Sequence, residues 1–271
     1  MRIVTFTQNG NIQHGVRTDS GIRVHPTATS AVELAMNPAD HPAGEEVKLA
    51  EVELLAPVPR PGKVICIGLN YRAHAAEGGF EVPDYPSIFL RGPTSLVGPA
   101  APIIMPACSD KLDFEAELAV VIGKTATNVR ANPLDYVAGY CCFNDGTIRD
   151  YQRKTTQWTV GKNFDQTGGF SAELVTPDEL PAGASGLRLQ ARLNGEIMQD
   201  SNTADLIFDV ATLITTLSEA MTLEPGDVIA TGTPSGVGYA RKPPVFMREG
   251  DVIEIEIDQI GTLSNTIAKR A

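Results

Sequence analysis

Histidine is scarce in this chain. His14, His25, His41 and His74 are the four among 271 residues. They form no H-x-H or H-E-x-x-H pattern, which argues against a zinc hydrolase and against a two-histidine, one-carboxylate iron site. His14, His25 and His41 have no acidic or cysteine partner at ligand spacing and read as surface or loop residues. Cysteine is equally sparse. Cys66, Cys108, Cys141 and Cys142 include no C-x-x-C pair, and adjacent Cys141 and Cys142 make a poor disulfide, so a reduced, cytoplasmic protein is expected. No apolar stretch of signal length opens the sequence, and no run reaches membrane-spanning length. Basic residues are outnumbered, 22 against 33 acidic ones, giving a net charge of −11 and a pI near 4.8. That balance speaks against nucleic-acid and anionic-membrane partners.

Apolar residues, by contrast, make up 42% of the chain, enough to build a full core in one large domain or in a large and a small one. Residues 1–58 read as a small β-rich unit. Strands are expected at Arg2–Gln8 and Gly15–Val24, around the turn signal Asn9-Gly10-Asn11, with a short helix near Ser30–Met36. The proline-rich run Pro57–Gly62 closes this unit, and residues 59–271 form the second.

The most telling stretch is Lys111–Gly123. Phe114, Ala116, Leu118, Val120 and Ile122 alternate as in a strand with one core face. The opposite face carries Asp113, Glu115 and Glu117 in a row. Like charges in that arrangement repel, so something positive is expected over Glu115 and Glu117; oxygen donors alone suit Mg²⁺ first, then Mn²⁺ or Ca²⁺. A solvated edge-strand face is the other reading, and the strand by itself does not choose between them. A second apolar strand, Tyr136–Phe143, ends at Asn144-Asp145-Gly146 and brings a third carboxylate to a strand end.

Three further segments carry chemistry. After a buried-type strand, Lys63–Gly68, a short helix is expected with Asn70 as its N-cap, which sets His74 and Glu77 three apart on one face. A carboxylate beside an imidazole raises its basicity, so this is a candidate water-activating dyad or an ordinary surface pair. A helical reading from Asp145 places Asp145, Arg149 and Gln152 near one face. Lys162 sits among apolar residues and is expected to turn inward toward an anion, whereas Trp158 reads as core. Gly232–Gly238 follows a buried strand, Val228–Thr231, and suits close approach to a small ligand; it lacks the G-K-[ST] of a phosphate loop. Asn194-Gly195 marks a hairpin, Asp209–Met221 an amphipathic helix, and Val252–Ile257 an outer strand with one wet face.

Taken in order, Gly68-Leu69-Asn70-Tyr71 with His74 and Glu77, Asp113–Leu118, Asn144-Asp145 with Arg149-Asp150, Trp158–Lys162 and Gly232–Gly238 resemble the fumarylacetoacetate hydrolase family. The likeness spans roughly residues 60–265. It implies a mixed α/β, β-rich fold, a mixed β-roll with a small β-rich N-terminal domain, in a homodimer. It implies Glu115, Glu117 and Asp145 as ligands of Mg²⁺ or Mn²⁺, His74 and Glu77 as the water-activating pair, and Lys162 as a catalytic cation. Arg149, Gln152 and Thr233 would line the substrate site. Arg91 stands where decarboxylating and acylpyruvate-cleaving members often carry lysine, and is assigned to the distal end of the substrate. The activity so implied is hydrolysis of a carbon–carbon bond in an acylpyruvate or other β-diketo acid, through a pyruvate enolate at the metal, in the catabolism of aromatic compounds. Oxaloacetate-type decarboxylation and 2-oxo-dienoate isomerisation or hydration are the alternatives, and a keto-acid-binding protein is the non-enzymatic one.

Overall fold

The structure, a computed structural model, describes residues 1–270. It is β-rich with few and short helices. The longest, Val210–Ala220, is capped by Asp209, whose side chain accepts from the Thr212 amide. Among the described residues, no helix is long and apolar enough to cross a membrane.

Two sheets carry the fold. The large one runs, in spatial order, Glu46–Val47, Ile22–Val24, Asn11–Arg17, Arg2–Gln8, Glu173–Val175, Val137–Asn144, Ala116–Ile122, Val228–Ala230, Val64–Gly68 and Ser87–Arg91. The smaller has five strands: Glu196–Asn202, Arg188–Leu193, Val252–Ile257, Gly261–Lys269 and Ile103–Met105. The main core lies between them, where Leu118, Val120 and Ile122 meet Ile253, Ile255 and Leu263. The N-terminal segment joins the large sheet directly, since Arg2–Gln8 pairs with Glu173–Val175, and it packs a small core of its own around Val4, Phe6, Ile22 and Val24.

Several expectations are corrected. Strand Ala116–Ile122 is buried on both faces, because Ala119 and Val121 pack into a second core with Leu34, Cys66 and Val228. The acidic row therefore continues into a second core instead of lying on a solvated edge-strand face. Gly15–Val24 is two strands, Asn11–Arg17 and Ile22–Val24, which pair with each other. His14 and His41 are buried rather than superficial. His14 Nδ1 lies 3.0 Å from Thr5 Oγ1 and His41 Nδ1 3.1 Å from Thr27 Oγ1; burial pushes the His14 imidazole below its usual value. Val252–Ile257 keeps its wet face but lies inside its sheet, between two partners. The hairpin turn Asn194-Gly195 forms as its sequence suggests, both residues adopting positive φ.

Leu118 has no exposure and bridges the two sheets. Leu118→Ala should cost about 2–5 kcal/mol of stability, read from urea denaturation midpoints, because the surrounding strands cannot close over the missing volume.

Candidate active site

One antiparallel register builds the acidic centre. Ala116 pairs with Asn144, so Glu115 and Asp145 meet just beyond the strand ends, where the Asp145 amide donates to the Glu115 carbonyl at 2.9 Å. Glu117 shares a strand face with Glu115, two residues on. Carboxylate oxygens of Glu115, Glu117 and Asp145 lie within 4.8 Å of one another, and all three residues are buried.

Cations crowd this centre. Lys162 turns inward as expected, and its Nζ donates to Glu115 Oε2 at 2.8 Å and to Asp145 Oδ2 at 2.6 Å. Arg149 Nη2 is 2.6 Å from Glu115 Oε1, while its Nε donates to Asp113 Oδ2 at 2.8 Å and its Nη1 to Gln152 Oε1 at 2.9 Å. The helix here is shorter than expected, Arg149–Gln152, and Asp145 precedes it on the strand end. Arg91 is placed differently from its expected role. It lies behind Asp145, bonded to that carboxylate, to the Gly146 carbonyl and to Thr167 Oγ1, and it does not line the cavity.

The electrostatics are lopsided. Burial raises the Glu115 carboxyl, but Lys162, Arg149 and His74 outweigh it and hold the group down to about 2. Glu117 goes the other way. Burial, then Asp145 and Glu115, push it well above the usual carboxylate range, and Lys162 and the Gly232 amide offset this only in part. For Lys162, burial pulls the ammonium down, yet Asp145 and Glu115 raise it overall. An all-oxygen donor set in which burial and two neighbouring carboxylates raise one carboxyl fits a hard divalent cation.

Over this centre opens a cavity of about 420 Å³, lined among others by His74, Phe80, Phe89, Arg153, Trp158 and Tyr239. His74 and Glu77 sit on the helix Arg72–Glu77. Glu77 Oε2 is 3.2 Å from His74 Nδ1, and Glu77 Oε1 accepts from the Gly236 amide at 2.9 Å. Burial raises the Glu77 carboxyl, but the bonds from His74 and Gly236 lower it overall, so it accepts only. Nδ1 therefore carries the imidazole proton and Nε2 is the basic nitrogen. Asn70 is not the cap of this helix. Its side chain spans Phe208 and Thr231, and the cap position is Tyr71 with no side-chain bond. Trp158 is half-buried in the cavity wall, edge-on to Phe89 at 5.8 Å, rather than in the core.

The loop after Val228–Ala230 closes the site. Gly232 adopts φ +105 and donates to Glu117 Oε2 at 2.9 Å; a Cβ there would meet Asn70 Cβ at 2.8 Å. Thr233 lines the cavity. Asp113, which the alternation grouped with Glu115 and Glu117, instead accepts from the Gly238 and Tyr239 amides and holds Arg149. Arg149 and Arg153 stand 4.4 and 4.3 Å from the Tyr239 ring centroid. Arg153 and Tyr239 were not singled out from sequence. The basic run Arg149–Lys154 was a signal for the first, but nothing local marks the second.

Two predictions follow from the charges. Because the cation-bound site needs Glu117 ionised and the free site raises its carboxyl, Mg²⁺ uptake should release protons and tighten as pH rises. Calorimetry in two buffers of different ionisation heat measures both effects. Lys162→Met should raise Mg²⁺ affinity at least tenfold, since a competing buried cation is lost, while lowering the melting temperature of the metal-free protein.

Comparison with known proteins places the chain and its fold. The family described as Fumarylacetoacetate (FAA) hydrolase C-terminal matches residues 63–268, and one described as Rv2993c-like, N-terminal, matches residues 1–57. An oxaloacetate tautomerase of Bacillus subtilis is 44% identical over 245 residues, 89% of this chain and 81% of the relative. A mitochondrial oxaloacetate tautomerase of Rattus norvegicus is 44% identical over 220 residues, 80% of this chain and 70% of the relative. Among solved structures, the fumarylacetoacetate hydrolase of Exiguobacterium antarcticum superposes with a TM-score of 0.86 at 36% identity, covering 100% of both chains. A 5-carboxymethyl-2-hydroxymuconate delta-isomerase of Mycobacterium smegmatis gives 0.85 at 34% identity, again covering 100% of both. The chain belongs to the fumarylacetoacetate hydrolase family, and its β-rich fold is that of the family's solved members.

Proposed function

We propose that this protein is a proton-transferring isomerase, a tautomerase, of 2-oxo acids that carry a second carboxylate, with oxaloacetate as the type substrate. The observation that carries the reading is the convergence in one cavity of an oxygen-only acidic triad, two buried cations and a carboxylate-paired imidazole. Identity of 44% to oxaloacetate tautomerases over 80% or more of the chain supports proton transfer better than bond hydrolysis. Glu115, Glu117 and Asp145 would hold Mg²⁺, with Mn²⁺ or Ca²⁺ as substitutes, and the ion would supply positive charge that acidifies the C–H beside a keto group.

The chain's own groups do the rest. Lys162 and Arg149 face the acidic centre and offset negative charge on the keto acid. His74, whose basic nitrogen is set by Glu77, takes the proton from the carbon next to the keto group. The released electron pair becomes the carbon–carbon double bond, the carbonyl pair moves onto oxygen, and the proton held by His74 passes to that oxygen, which leaves the imidazole neutral again. The reverse passage restores the keto form. Arg153, held against Tyr239 at the cavity wall, receives the remote carboxylate, the part first assigned to Arg91.

Hydrolysis of an acylpyruvate is the second reading, and the His74–Glu77 pair favours it, because the same base suits water. A product panel of enol-oxaloacetate, acylpyruvates and 2-oxo-dienoates with Mg²⁺ separates the two. Rapid loss of enol absorbance without release of pyruvate or CO₂ is expected; pyruvate released from an acylpyruvate at comparable rate would overturn the tautomerase reading. His74→Ala should slow enol conversion roughly a hundredfold or more. Arg153→Met should raise KM for oxaloacetate about tenfold and leave a monocarboxylic 2-oxo acid unaffected.

A further inference from the structure

Gln199 lies on Glu196–Asn202 in the five-stranded sheet, is 1% exposed, and reaches across to the large sheet. Its Oε1 accepts from the Ala116 amide at 2.9 Å, midway between Glu115 and Glu117 in the chain. Its Nε2 donates to the Pro234 carbonyl at 2.8 Å and to Thr233 Oγ1 at 2.8 Å. A backbone N–H only donates and a backbone carbonyl only accepts. The side-chain amide therefore has one allowed orientation, since a flip would set donor against donor and acceptor against acceptor. In that orientation the second Nε2 proton must go to Thr233, whose hydroxyl oxygen is thereby an acceptor. The hydroxyl proton has to be given elsewhere. No acceptor for it occurs among the hydrogen bonds of the described residues, and Thr233, 3% exposed, lines the cavity beside Glu115, Glu117 and Lys162.

We infer that Gln199 is a positioning residue that fixes the Thr233 hydroxyl as a donor into the cavity, so that the ligand atom received there is a hydrogen-bond acceptor. Resting on the tautomerase reading, that acceptor is an oxygen of the carboxylate or enolate end of the 2-oxo acid. A ligand group that offers only a donor at this point would meet a second donor and be disfavoured.

The test is a double-mutant cycle read as oxalate binding to the Mg²⁺-loaded protein by calorimetry, with Mg²⁺ uptake measured alongside. Thr233→Val should weaken oxalate about tenfold or more, the loss of one bond to a charged group. Gln199→Met, which frees the hydroxyl to turn, should weaken it several-fold. Gln199→Glu, which takes the Thr233 proton for itself, should weaken it as much as Thr233→Val. In the Thr233→Val background, Gln199→Met should change affinity by less than about twofold. Equal losses in both backgrounds would show that Gln199 acts on the fold and not through Thr233. Wild-type protein that takes up Mg²⁺ but no oxalate would overturn the proposed function instead. The contact is then read without ligand: by NMR the Gln199 side-chain amide protons should exchange slowly and shift in Thr233→Val, and fast-exchanging, unshifted protons overturn the inference whatever the substrate.

Discussion

A shortage of positive charge underlies this architecture. Asp113, Glu115, Glu117 and Asp145 are buried together with Arg91, Arg149 and Lys162, four carboxylates against three cations. Buried charges of one sign are costly unless paired, and the imbalance surfaces at Glu117, the member without an ion-pair partner. A divalent ion would reverse the sign of the imbalance, and the anionic 2-oxo acid proposed as ligand would then offset the excess. Ligand affinity and metal affinity are thus two halves of one electrostatic balance, held in place by strands that cannot relax because both faces of Ala116–Ile122 are packed.

Precision at the centre comes from main-chain amides. Gly232, Gly236, Gly238 and Tyr239 donate in turn to Glu117, Glu77 and Asp113, so one loop orients a member of the acidic triad, the partner of His74 and the anchor of Arg149. Gly236, at φ +100, lies so close to strand Glu196–Asn202 that a Cβ would approach the Met198 carbonyl to 2.4 Å. The loop is pressed between the two sheets, and the second sheet takes part in the site through Gln199.

What the sequence made legible was whatever a short period or local order encodes. Glu115 and Glu117 are two apart on a strand, Asp145 ends the neighbouring strand, His74 and Glu77 are three apart on a helix, and the antiparallel register does the joining. Lys162 was legible because a lysine among apolar neighbours has to find an anion. Arg91 was misassigned because nothing in Ser87–Arg91 shows that its end points behind Asp145 rather than toward the substrate. Asn70 looked like a cap by position but is claimed by Phe208 and Thr231, more than a hundred residues away in the chain. His14, His41 and Trp158 failed for the same reason, their surroundings being set by strand pairing and side-chain packing across the fold. Gln199 stood in a polar strand without any mark of its role.

One carboxylate links the cavity wall to the imidazole. Glu77 ties the helix Arg72–Glu77 to the glycine-rich loop with one oxygen and sets the imbalance of the His74 ring with the other. His74 and Glu77 share that helix, and helix and loop both line the cavity, so the group that fixes the cavity wall is also the group that orients the ring. The imidazole and its carboxylate thus form one rigid unit, and a single main-chain amide, that of Gly236, sets where the unit stands over the acidic triad.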